Sequence, residues 1–157
     1  MSQLVDIRKF RSETSFDELI AASKITKNWW GKKTDNYWSY LSNTTTSIEL
    51  DLNTNLIIDL FAYIIDDLGY KESHSDYSEQ LFNNRGAFTS IISFSDKENL
   101  LDKLNQDTFF SSFKSYAQEL NAEFYDYTDE EIKDNLQKFR VLLTELNRDD
   151  FLLISIG

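Results

Sequence analysis

Residues 54–68, TNLIIDLFAYIIDDL, with Gly69 behind them, constrain the fold more than any other stretch of the chain. At about 100° per residue, Leu56, Ile57, Leu60, Phe61, Ile64, Ile65 and Leu68 fill one half of a helical wheel, while Asn55, Asp59, Ala62, Tyr63, Asp66 and Asp67 fill the other. The spacing predicts a core helix. Asn53 or Thr54 can accept a hydrogen bond from the first-turn amides, and Gly69 can take the left-handed conformation that closes the last turn. The apolar half is wide enough for two or more neighbours, and the three aspartates are expected to keep the outer half in water.

At 157 residues one domain is expected, because single cores commonly run to about 100 to 200 residues. A chain of that length buries roughly 70% of its unfolded surface and needs neither metal nor disulfide to fold. With 41% hydrophobic and 15% aromatic residues it is too apolar for general disorder. The absence of cysteine excludes disulfides, thiolate metal sites and cysteine nucleophiles, and it fits a reducing compartment. The opening MSQLVDIRKF is too short and too charged for a signal peptide. The most apolar segment, 54–68, carries three aspartates and falls short of the ~20 residues that span a bilayer. A cytoplasmic, soluble protein is expected.

The net charge of −11 is uneven: residues 1–33 hold seven basic and four acidic side chains, net +3, which leaves −14 for residues 34–157. A field of that sign repels nucleic acid and anionic lipid and accelerates encounters with basic proteins. It also serves solubility alone.

Along the chain, residues 3–10 place Leu4, Ile7 and Phe10 at helical spacing but are too few to decide between a helical turn and an edge strand. Ser15-Phe16-Asp17-Glu18 is a capping box that opens a helix expected to reach about Lys27. Residues 28–41, NWWGKKTDNYWSYL, hold the only tryptophans, Trp29, Trp30 and Trp38, with Tyr37 and Tyr40 beside them and Lys24, Lys27, Lys32 and Lys33 around the first pair. Such aromatics are either binding anchors or packing over the core. Interleaved with lysines, they also suit single-stranded nucleic acid. Residues 46–52 alternate as a half-buried strand, 70–86 read as a polar surface loop with at most a short helix near 77–82, and 87–94 read as a strand. Ser95-Asp96-Lys97-Glu98 and Thr128-Asp129-Glu130-Glu131 are further capping boxes. A helix over 108–125 is expected to bury Phe109, Phe113, Tyr116, Ala117, Leu120 and Phe124, and the last helix Ile132, Leu136, Phe139, Leu143 and Leu146. Residues 149–156 close the chain as a strand. Together these elements predict an α+β fold: a single helix-rich domain, 1–157, with four to five helices packed on a small sheet.

Catalytic signatures are scarce. One histidine and no cysteine leave little for zinc, and no GxxxxGK or GxGxxG loop is present. His74 lies between Ser73, Ser75 and Asp76, but sequence neighbours rarely align as a triad, and no G-x-S-x-G turn exposes a nucleophile. No EF-hand loop occurs, and the acidic cluster at 126–131 is explained by favourable acids in a first helical turn. No enzyme activity, cofactor or metal is expected.

The expectation is a small acidic protein that works by binding, an immunity protein that neutralises a bacterial toxin such as a nuclease by covering its basic groove. The candidate partner-binding residues are Asp59, Tyr63, Asp66, Asp67, Glu119, Glu123, Asp126 and Glu130 on helical faces, with Trp29, Trp30 and Trp38 as a second anchor. The partner would be a basic toxin or nuclease domain, with no direct contact to nucleic acid or membrane. The alternatives are a phage-type nucleic-acid mimic directed at a host defence protein, and a ligand- or peptide-binding module built on the Trp/Tyr cluster.

Overall fold

The spacing of Leu4, Ile7 and Phe10 fits a helical turn, yet Val5–Arg11 is a strand (β1), because both its edges find partners far along the chain. It pairs antiparallel with Asp150–Ile156 (β6), from Val5 against Ile156 to Arg11 against Asp150, and with Thr46–Ser47 (β4) on its other edge. Phe88–Ile92 (β5) adds to the far side of β6, giving the antiparallel order β4-β1-β6-β5. The computed structural model describes residues 4–11 and 15–157, and Gln3 of the first segment lies outside them. Among the described residues there are seven α-helices, so the chain is α+β, with more helices than the sequence predicts. No helix among them is long and apolar enough to cross a membrane.

The chain divides into two compact units interleaved in sequence. The first comprises Met1–Glu49, Glu72–Phe94 and Asn147–Gly157. It contains the sheet and three helices, Phe16–Ser23 (α1), Tyr37–Thr44 (α2) and Ser75–Arg85 (α4). Phe10, Ile91 and Leu153 share one face of the sheet, where Leu19, Ile20, Tyr37, Leu41 and Leu81 close over them. Ser15 caps α1, its Oγ accepting from the Glu18 amide at 3.3 Å. The helix stops at Ser23, short of Lys27, because Thr26–Lys27 (β2) turns into a two-stranded ribbon with Lys33–Thr34 (β3).

Two expectations are met only in part here, for physical reasons. The strand predicted over 46–52 is paired only at Thr46–Ser47, with the Ile48 amide reaching Ile7 O at 2.8 Å. Alternation reports which side chains are half-buried, here Ile48, Leu50 and Leu52, whereas a strand needs a continued ladder, and the paired register with β1 ends at Ser47 although β1 itself runs on to Val5. In the polar segment 70–86 the short helix expected near 77–82 is present but longer, Ser75–Arg85 (α4), so less of the segment is loop than expected. The helix's single fully buried anchor, Leu81, and its left-handed cap at Gly86, φ 73°, suffice because neighbouring elements cover it.

Strand β5 ends the sheet, and Glu72 occupies its outer edge: one carboxylate oxygen accepts from Ser90 Oγ at 2.6 Å and from the Ile91 amide at 2.9 Å. A charged side chain on an edge amide blocks strand addition by another molecule. Glu72→Ala should cost about 2 kcal/mol of unfolding free energy, by leaving both donors without this acceptor. Urea denaturation of the two proteins checks this, and equal midpoints would refute it.

The second unit comprises Leu50–Lys71 and Ser95–Leu146 and is helical. Thr54–Asp66 (α3) is capped by Asn53, whose side chain accepts from the Leu56 amide at 3.1 Å and donates to Glu131 at 2.6 Å. Gly69 is left-handed, φ 67°, and Tyr70 N–H returns to Ile64 O at 3.0 Å, the closure its sequence implies. Phe109–Asn121 (α6) and Asp129–Thr144 (α7) pack on α3 through ring contacts such as Phe61 on Phe139 and Tyr63 on Phe109 and Phe113, and Phe94–Leu104 (α5) is tied to α7 by Arg140, whose guanidinium donates to Leu104 O at 2.7 Å. Thr128 caps α7 as its box predicts, and Ile132, Leu136, Phe139, Leu143 and Leu146 are buried. Helix α5 begins at Phe94, one residue before the box at 95–98 that is expected to open it.

Candidate functional site

The acidity of the chain is segregated. The helical unit carries 16 acidic and seven basic side chains, net −9, against 11 and nine, net −2, for the sheet unit. Between Lys114 and Lys133 there are six acids and no base, and of these Asp129 is paired, with Lys114 at 2.7 Å. This run covers the end of α6, a 3-10 turn at Ala122–Phe124 and the start of α7.

Two of the residues expected on the solvent face of α3 are not there. Asp59 is only 6% exposed, and its Oδ2 accepts from Tyr127 OH at 2.7 Å and from Asn121 Nδ2 at 2.8 Å. Tyr63 is buried among Phe109, Phe113 and Tyr116. The buried arc of α3 is therefore rotated toward Asp59 and Tyr63 and leaves Ile65 exposed, the reverse of the sequence expectation. A carboxylate can lie inside when specific donors meet it, and here they come from 62 and 68 residues away. Burial, and then the hydrogen bond to Asp59, push the Tyr127 hydroxyl above its ordinary titration range.

The remaining acids are exposed, and the fold gathers some of them. Asp67 and Glu119 line one shallow groove of about 400 Å³ with Tyr116 and the serines 111, 112 and 115. The Tyr116 hydroxyl is raised first by burial and then by the negative charges of Asp66, Asp67 and Asp59. Glu123 lies in the 3-10 turn, Asp126 follows it, and Glu130 sits in the first turn of α7.

Sequence reasoning misses the apolar members of this surface. Leu120 and Phe124, expected inward, are 54% and 87% exposed. Helix α6 ends at Asn121, and Ala122 takes φ 45°, which removes Phe124 from the helical wheel on which its burial depends. Two large apolar side chains thus stand among Glu119, Glu123 and Asp126 in sequence, a composition suited to the core of a protein interface with a charged rim.

The three tryptophans belong to the sheet unit; Trp38 is half-exposed and packs against the buried Tyr37 and under the Arg8 guanidinium, whereas Trp29 and Trp30 do not pack over the core. Trp29 and Trp30 are 93% and 87% exposed. Gly31 N–H donates to Asn28 O at 3.0 Å, Asn28 N–H donates to Lys32 O at 3.0 Å, and Gly31 has φ 79°. That is a three-residue hairpin loop, a turn closed by a left-handed glycine. Asn28 Oδ1 braces it by accepting from the amides of Trp30, at 3.1 Å, and Lys32, at 2.8 Å. Backbone geometry, not packing, therefore holds the rings at the tip.

Behind the hairpin, Arg85 holds the start of α2. Its guanidinium pairs in bidentate fashion with Asp35, at 3.0 and 2.9 Å, and lies over the Tyr37 ring at 4.7 Å from its centroid. The hydrogen bonds from Arg85 hold the Asp35 carboxyl below its usual range. Burial pushes the Tyr37 hydroxyl up to about 12, with the Arg85 charge opposing. The unfolded phenol titrates near 10, so the folded state holds the proton more tightly over that window, and stability falls as pH rises through it. Tyr37→Phe should flatten the decline, measured as urea midpoints from about pH 9 to about pH 11.5. An unchanged slope would contradict this assignment.

Among the described residues, no three His, Cys, Asp or Glu side chains converge as a metal site. His74 lies in an aromatic cluster, 4.5 Å from Phe16 and 5.4 Å from Phe151 between ring centroids. Comparison with known protein families, curated proteins and solved structures finds no match.

Proposed function

We propose that this chain is a binding protein that inhibits a basic partner, an immunity protein whose helical unit covers the cationic groove of a toxin such as a nuclease. The observation that carries this reading is the concentration of net charge −9 on the helical unit, with exposed Leu120 and Phe124 set among the acids. Charge of one sign over a surface speeds encounter with a partner of the other sign, and large apolar side chains at its centre slow dissociation. The same apolar side chains favour a shape-specific protein interface over a phosphate mimic, which needs an uninterrupted acidic stripe. Asp66, Asp67, Glu119, Glu123, Asp126 and Glu130 remain as the contact set, without the buried Asp59 and Tyr63.

The test is affinity capture on the immobilised chain from nuclease-treated lysate of the source organism. The expected result is one stoichiometric basic protein, released by high salt, whose toxic or nucleolytic activity the purified chain suppresses. A captured protein that stays fully active in saturating complex would sink the inhibitor reading.

A further inference from the structure

The tryptophan hairpin carries two features that are unfavourable in water. Trp29 and Trp30 expose nearly their whole surface at the tip of a two-stranded ribbon, and such ribbons are marginal on their own. Directly behind the tip, Lys27 and Lys33 are cross-strand partners, so their like charges share one face of the ribbon. Lys24 and Lys32 add to them, and no acid occurs between Glu18 and Asp35. An occupant that is anionic at its surface and apolar beneath relieves both. The basic partner of the helical unit cannot be that occupant, since the lysines would repel it.

We propose that the hairpin is a membrane-surface anchor: Trp29 and Trp30 enter the boundary between headgroups and acyl chains of an anionic bilayer, and Lys24, Lys27, Lys32 and Lys33 meet its phosphates. Indole rings favour that depth, and lysines beside a negative leaflet add attraction. The shape decides against single-stranded nucleic acid, which binds along a charged groove lined with rings. Here two adjacent rings crown a convex turn, and a bilayer deforms around a wedge. The net charge of the whole chain argues against an anionic surface, but the unit bearing the hairpin is only −2. Physiological salt further confines each charge to about 8 Å.

The experiment uses the full chain with Trp38→Phe, which leaves the two tip tryptophans as sole reporters. It is titrated with vesicles of phosphatidylcholine alone and of phosphatidylcholine with phosphatidylserine. The expected result is a blue shift of emission and quenching by brominated acyl chains on the anionic vesicles only, reversed by salt. Trp29→Ala with Trp30→Ala, in the parent chain, should abolish co-sedimentation. Lys27→Gln with Lys33→Gln, which relieves the cross-strand repulsion and so keeps the ribbon, should weaken it about ten-fold or more. Absence of a shift on both vesicles, or binding retained by the double alanine variant, would overturn the proposal. So would quenching by a single-stranded oligonucleotide with no response to vesicles.

Discussion

Asp59→Ala is expected to destabilise the protein by about 3 kcal/mol, because hydrogen bonds to a charged acceptor contribute about 1.5 to 3 kcal/mol each and the abandoned donors stay inside. Those donors are Tyr127 OH and Asn121 Nδ2, one from beyond the 3-10 turn and one from the end of α6, so Asp59 ties both to α3. Asp59→Asn keeps a carbonyl acceptor and should lose about half as much, and Tyr127→Phe, which removes a single donor, about 1 kcal/mol. Urea unfolding of the three variants measures the series. The sequence position alone, on the polar half of a wheel, predicts instead an unchanged stability and a slower association. That pattern would overturn the buried assignment.

Asp66→Asn, Asp67→Asn, Glu119→Gln and Glu123→Gln, combined, are expected to slow association with the captured basic partner about ten- to hundred-fold at low salt, with little change in dissociation. All four side chains are exposed, so removing their charge relieves repulsion within a unit of net charge −9 and leaves the fold intact. Phe124→Ala should act in the opposite way, by raising the dissociation rate, since an exposed ring contributes after docking and not to steering. The two classes of variant thus separate encounter from complementarity. A uniform loss in both rates for both variants would indicate general misfolding.

Helix α3 was legible because its periodicity and both caps are local: Asn53, the apolar stripe and Gly69 lie within one stretch. What could not be read there was which polar residues lie inside, since Asp59 is solvated or buried according to donors many residues away. The same dependence on distant partners hides β1, whose ladder is completed by the last residues of the chain. Of helix α4 only the part near 77–82 is legible, because an 11-residue polar segment has almost no periodic signal and its stability comes from neighbours. Phe124 was misplaced for a different reason, a backbone reversal at a non-glycine residue that no local signal announces. The tryptophan hairpin is not anticipated from the sequence, where a helix is expected to reach Lys27; its signal is Asn28 flanking, and Gly31 ending, the three-residue loop 29–31, with lysines on either side. A turn of that kind carries both rings outward into water, whatever packs behind it.

If the acidic helical unit is the surface on which a basic partner docks, its charge sets the rate of encounter. The most direct measurement is the association rate of the captured partner with the parent chain and with the four-fold Asp66, Asp67, Glu119 and Glu123 variant, at low and at high salt. The parent is expected to associate fast with a steep salt dependence and the variant slowly and nearly independently of salt, the two converging at high salt. Equal rates with equal salt dependence would contradict this and move the interface off the helical unit.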